Sequence, residues 1–201
     1  MALHEIDDEQ IESNWGATVD DFEDMNLSDG LLTSIARQGF TAPTNIQRHA
    51  IPAIIVGRYV DVQSPSGTGK TTSFLIAALQ KLDALLSESQ VLILVPTVQS
   101  GAQIQKAVLA LGGFMKIQCA CVGGANVRDE IKALEAGAHV VIDDAVNILA
   151  RDFRDAIDSI RAMAPGQCQF VFTSRTKSED VEQLGIHYME DAIQIAVREE
   201  E

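Results

Sequence analysis

Nine consecutive residues carry the most specific chemistry in the chain: Ser64, Pro65, Ser66, Gly67, Thr68, Gly69, Lys70, Thr71 and Thr72. Gly67 and Gly69 permit a tight turn whose amides point inward, and a helix starting just after them adds the positive end of its dipole. Lys70 has the reach to meet outer phosphate oxygens, and Thr71 offers the hydroxyl that a nucleotide-bound Mg2+ requires. The spacing predicts a site for the phosphates of a nucleoside triphosphate. It departs from the G-x-x-x-x-G-K-[ST] pattern at one place, where Ser64 replaces the opening glycine. The alternative is a glycine-rich surface turn with an incidental lysine. An apolar run before the loop and a helical pattern after it favour the phosphate site.

Two further groups invite a chemical reading. Gln47 closes the segment GFTAPTNIQ, and its amide can donate to and accept from one adenine edge, selecting ATP over GTP. Thr44 and Gln47 equally match the S/T-x-x-E/Q capping box of a helix start. The residues alone leave both readings open. Asp143 and Asp144 follow the apolar run HVVI, where a carboxylate could face a metal ion, although acids between a strand and a helix are also common as turn and cap residues.

Positioning these groups requires strands that end where the loops begin. Apolar runs of strand length occur at 59–63, 91–95, 116–122, 139–143, 169–173 and 192–197. Between them TTSFLIAALQKLDALL, VQSGAQIQKAVLAL, VRDEIKALE, AVNILARDFRDAIDSIRAM and SEDVEQLGIHYM carry the three-to-four residue apolar spacing of amphipathic helices. Two helices precede the alternation, one near Leu31 to Arg37 with Ser28 as N-cap and one from Thr44 to about Val56 that spans Pro52. Strand and helix in strict turn predict an α/β domain, a mostly parallel sheet with helices on both faces and ligands at the carboxyl ends of its strands.

Composition narrows the class. At 201 residues and 46% hydrophobic content the chain can bury one sizeable core. Its net charge of −14 argues against a generic basic coat on nucleic acid. Ten of the 29 acids and none of the 15 Lys and Arg fall in residues 1–30, so the remainder carries only −4. Residues 1–20 are expected to form an acidic, flexible leader and 21–201 a single domain. Three cysteines without metal-ligand spacing predict a reduced, intracellular protein, cytoplasmic or nuclear. No apolar run has the length of a membrane span.

Phe22, then Gly39 and Phe40, Pro43 and Gln47, SGTGKT, Pro96 and Thr97, Gly123 and Gly124, and Ser174 to Thr176 occur in the order seen in DEAD-box RNA helicases. The chain resembles the N-terminal RecA-like P-loop domain of that family over nearly its whole length. Through IESNW, FEDMNLSDGLL, GGANVR and FRDAIDSI it is most similar to the translation initiation factor 4A group. The resemblance implies ATP and Mg2+ as ligands. It implies that Phe22, Phe40 and Gln47 serve the adenine, that Asp143 serves the metal and Asp144 the attacking water. It implies that Pro96, Thr97, Gly123, Gly124 and Arg128 contact RNA, and that Ser174 and Thr176 couple ATP to RNA.

Several positions depart from the family pattern. Asp144 stands where the DEAD sequence has Glu, Val146 replaces its last Asp, and Arg175 replaces the alanine of S-A-T. PTRELA appears as PTVQSG, so Val98 takes the place of an arginine, and TPGR is absent. One strand at 139–143 stands where the family has two, as though about thirty residues had been removed. HVVIDDAVNILA therefore matches either the DEAD strand or the remnant of the TPGR strand. The family's second RecA-like domain, with its arginine fingers, is not in the sequence.

These features predict an ATP-binding half of an RNA helicase, with feeble hydrolysis and RNA affinity by itself. The competing expectation is a non-enzymatic pseudo-helicase module that occupies a helical-repeat scaffold or a helicase partner. A small-molecule kinase is disfavoured because no segment reads as an acceptor lid.

Overall fold

The structure, a computed structural model, describes residues 5–95, 97–122, 138–144, 168–175 and 179–198, together with 158 and 162. The helices expected at VRDEIKALE and AVNILARDFRDAIDSIRAM lie outside the described residues, as do Pro96, Gly123, Gly124, Arg128 and Thr176.

Two helices open the domain, α1 (Asp29–Arg37) and α2 (Asn45–Ile55). Ser28 occupies the N-cap of α1 in extended conformation, but its side chain makes no capping bond. Thr44 caps α2 through a full capping box: its hydroxyl accepts from the Gln47 amide at 3.3 Å, and Gln47 Oε1 accepts from the Thr44 amide at 2.9 Å. Pro52 sits inside α2 as the sequence predicts. A proline has no amide to give the carbonyl one turn earlier. That carbonyl, on Arg48, accepts instead from the amide of Val19 at 3.2 Å.

The strands are β1 (Ile11–Ser13), β2 (Val60–Gln63), β3 (Val91–Val95), β4 (Cys119–Val122), β5 (Val140–Asp144), β6 (Val171–Ser174) and β7 (Ile193–Val197). Later helices are α3 (Lys70–Lys81), α4 (Val98–Leu111) and α5 (Glu179–Tyr188). The expected helix over TTSFLIAALQKLDALL stops at Lys81. Asp83 ends it, since its carboxylate accepts from the amide of Leu85 at 2.9 Å and the side chain of Gln90 binds both Asp83 amide and carbonyl. Leu85 is left 91% exposed. β4 starts at Cys119 rather than at Lys116, whose backbone is left-handed at φ 55°.

Every described strand pairing is parallel except β1 with β7. The ladders form two groups, β1-β7-β2-β6 and β3-β5-β4. β2 is flanked by β7 and β6 in the first group, and β5 lies between β3 and β4 in the second. Helices α3 and α4 pack on each other, and α3 also touches β6. Val60, Val62, Ile193 and Ile195 bury one face of the first group in the main core with α1, α2 and α3. On the other face Tyr59, Phe170 and Phe172 pack with Tyr188 and Met189 at the end of α5.

The described part of the acidic leader is not a free tail. Ile11–Ser13 pairs with β7, Ile6 is buried, Asp8 meets His49 at 3.2 Å and Arg198 meets Glu12 at 2.6 Å. Arg48 also holds Asp20. Acidic composition suggests solvation, but apolar Ile6 and Ile11 and matched basic partners fix the segment to the body.

Ile51 is wholly buried on α2. Ile51→Ala is expected to lower unfolding free energy by roughly 2–5 kcal/mol, read as a lower urea midpoint with an unchanged slope.

Candidate phosphate-binding site

The loop after β2 is built by its glycines. Gly67 and Gly69 have φ of 86° and 99°, in the left-handed region that glycine enters without strain. Gly69 also lacks room for a side chain, since a Cβ there would lie 2.7 Å from Gln47 Nε2 and 3.0 Å from Thr44 Oγ1. Those two residues brace the loop. Thr44 Oγ1 donates to the Thr68 carbonyl at 2.9 Å, and Gln47 Nε2 donates to the Gly69 carbonyl at 3.5 Å. At the other end the Ser64 amide donates to the Ser174 carbonyl at 3.2 Å, tying the loop to the end of β6.

Gly69 is the N-cap of α3 and gives it no side-chain cap. Its first-turn amides and dipole are left to face a ligand, the property that makes such a terminus an anion site. Lys70 is the first residue of the helix, and its Nζ donates to the carbonyls of Ser64 and, at 2.7 Å, of Pro65. Burial, followed by the positive charge of Arg175, lowers the Lys70 pKa from 10.5 to about 8. Ser64 and Thr68 are each 1% exposed and share a hydroxyl contact of 2.6 Å. Pro65, Ser66 and Thr71 are exposed, and Thr72 is half-buried.

Other predicted site residues are placed less directly. Gln47 is 0% exposed, with both amide ends directed at the protein's own backbone. Phe22 is buried in the main core, and Phe40 packs half-buried against that core. Asp143 and Asp144 end β5, where Asp143 pairs with Leu94 and Val122 and Asp144 pairs with Val95. β5 is the middle strand of its group, whereas the strand that feeds the loop, β2, is flanked by β6 and β7. The structure does not bring Asp143 and Asp144 to a strand beside the phosphate loop. No group of three or more potential metal ligands occurs among the described residues. Thr97 caps α4, accepting from the Ser100 amide at 3.1 Å, and Val98 follows it 51% exposed.

Arg175 and Ser64 are contributors whose roles the motif did not disclose. The signal for Ser64 was the missing first glycine. Nothing in the sequence sets Arg175 near Lys70 until β6 is seen to pair with β2.

A family model for the DEAD/DEAH box helicases matches residues 44–142, from the cap of α2 to the residue before Asp143. The chain is 39% identical over 225 residues to the ATP-dependent RNA helicase eIF4A of Chaetomium globosum, covering 99% of this chain and 57% of the relative. It is 40% identical to the eIF4A of Schizosaccharomyces pombe with the same coverage. Against the eukaryotic initiation factor 4A of Drosophila melanogaster it is 39% identical, covering 95% of this chain and 54% of that one. A crystal structure of a DEAD box protein from Methanococcus jannaschii superposes with a TM-score of 0.79 at 25% identity, covering 90% of this chain and 57% of that one. The chain belongs to the DEAD/DEAH box helicase family, and its fold is the RecA-like domain of that family. It spans somewhat over half the length of these relatives. An alignment of 225 positions against 201 residues leaves at least 24 positions without a residue here. That is about the length of a strand with its helix.

The Lys70 amine provides a pH test. Its pKa is lower folded than unfolded, so the unfolded chain holds the extra proton between about pH 8 and 10.5 and Lys70 adds stability as pH rises through that window. Site-resolved acylation of Lys70 is expected to show a midpoint near pH 8, moving upward in Arg175→Ala.

Proposed function

We propose that this chain is the ATP-binding domain of an eIF4A-like RNA helicase, and that by itself it binds Mg·ATP and Mg·ADP with little or no turnover. The observation that carries the reading is the phosphate loop, two left-handed glycines leading into the uncapped helix α3 with Lys70 at its first position. Such a loop cradles phosphates with its amides and meets their outer oxygens with the lysine. Thr71 is the proposed Mg2+ ligand from α3; Asp143, the carboxylate candidate from the sequence, ends a strand in the other group. Phe22, Phe40 and Gln47 are the proposed adenine neighbours.

Slow turnover follows from two observations. Asp144 has the shorter side chain where the family has Glu, and its strand is not adjacent to β2. A displacement of the order of 1 Å can cost roughly 100-fold in rate. RNA binding is proposed to be weak and local, through Thr97 and the Gly123, Gly124 and Arg128 region, since phosphate neutralisation needs several cations. Val98 stands in the arginine position. Ser174 and Thr176 remain the proposed coupling residues, with Val146 unable to make a polar link to them.

The same losses favour a second reading, a pseudo-helicase module that binds a scaffold without hydrolysing ATP. The compartment proposed for either is intracellular. Among the described residues no helix is long and apolar enough to cross a membrane.

Calorimetric titration with Mg·ATP and Mg·ADP is expected to show binding that Lys70→Ala abolishes and with which GTP competes poorly. Absence of binding at millimolar nucleotide overturns the reading. A turnover assay with and without RNA separates the alternatives, because RNA-stimulated hydrolysis excludes the pseudo-helicase module.

A further inference from the structure

The hydroxyl pair across the loop has no counterpart in a motif that opens on glycine. Ser64 Oγ lies 2.6 Å from Thr68 Oγ1, both residues are 1% exposed, and Thr68 Oγ1 donates onward to the Pro65 carbonyl at 3.0 Å. The donor order is set by that last bond: with its proton directed at Pro65, Thr68 accepts, and Ser64 donates. The chain Ser64 to Thr68 to Pro65 draws the two ends of the loop together over four residues. It leaves the carbonyls of Ser64 and Pro65 facing Lys70, whose amine binds them both. In this arrangement the amine is solvated by the loop's own carbonyl oxygens, in the place of the phosphate oxygens it would otherwise meet. A phosphate drawing on Lys70 competes with those carbonyls.

We infer that Ser64 is a positioning residue that latches the phosphate loop in a self-bound form, so that nucleotide affinity is set by how often this latch opens. The inference rests on the nucleotide reading above and adds a residue-specific regulation of that site. A buried neutral hydrogen bond favours the state that contains it by about a factor of five. When the competent form is a minor one, apparent affinity falls by the same factor. Removing Ser64 Oγ leaves no orphaned donor, because Thr68 still donates to Pro65. The variant therefore keeps its fold.

The test uses the full chain and the variants Ser64→Ala and Thr68→Val. Calorimetry with Mg·ADP and with Mg·ATP is expected to give Kd values about fivefold lower in Ser64→Ala than in the parent. Thr68→Val shifts Kd the same way, and the double variant gains no more than the larger single effect. In nucleotide-free protein, hydrogen exchange at the amides of 66–69 is expected to quicken in Ser64→Ala while its thermal midpoint stays within a degree or so of the parent's. Weaker or unchanged binding in Ser64→Ala, with the parent binding normally, overturns the latch and makes Ser64 a phosphate contact or a bystander. If the parent binds no nucleotide, the phosphate-site reading fails on its own. Exchange then decides the latch separately: faster amides uphold it, and unchanged amides overturn it.

Discussion

The start of α2 and the start of α3 are held against each other by a few polar contacts, and most of the site depends on that clasp. Thr44 and Gln47 cap their own helix and, with their remaining donors, hold the carbonyls of Thr68 and Gly69. All four residues are buried, so each of these bonds replaces water that cannot enter. The clasp explains why Gly69 must be glycine on steric as well as conformational grounds. It also makes the packed pair α2 and α3 the floor on which the loop is built.

The second determinant is the division of the described strands into two groups. β2, β6 and β7 form a continuous parallel unit carrying the loop, and Ser174 and Arg175 reach it from the end of β6. β5 with Asp143 and Asp144 belongs to the other unit. The phosphate loop and the paired aspartates thus rest on different groups of strands.

Much of the architecture was legible because strand and helix periods are strong in this sequence. The six expected strands appear within a few residues, and α2 runs through Pro52 because Val19 supplies the missing donor. Three features were not legible. The end of α3 at Lys81 depends on Asp83 and Gln90 closing a turn across seven residues, which periodicity does not register. The anchored leader depends on a partner strand some 180 residues away, invisible to local composition. The two strand groups and the place of β5 are matters of strand order, and no window of sequence reports strand order. For Gln47 the sequence offered two roles, adenine reader and capping residue; within the chain it forms the capping bonds and a further one to the Gly69 carbonyl.

The strand order carries a consequence for how the protein is made. β2, which launches the phosphate loop, takes both of its neighbours from residues 171–197, and β1 is pinned to the same late segment. Local helix contacts between α2 and α3 can form as soon as those residues leave the ribosome, but β2 has no neighbouring strand until more than a hundred further residues have been synthesised. At about 5–20 residues per second that interval lasts on the order of 5–20 s. During it the backbone of β2 is an unpaired edge, open to pairing with another chain until β6 and β7 arrive.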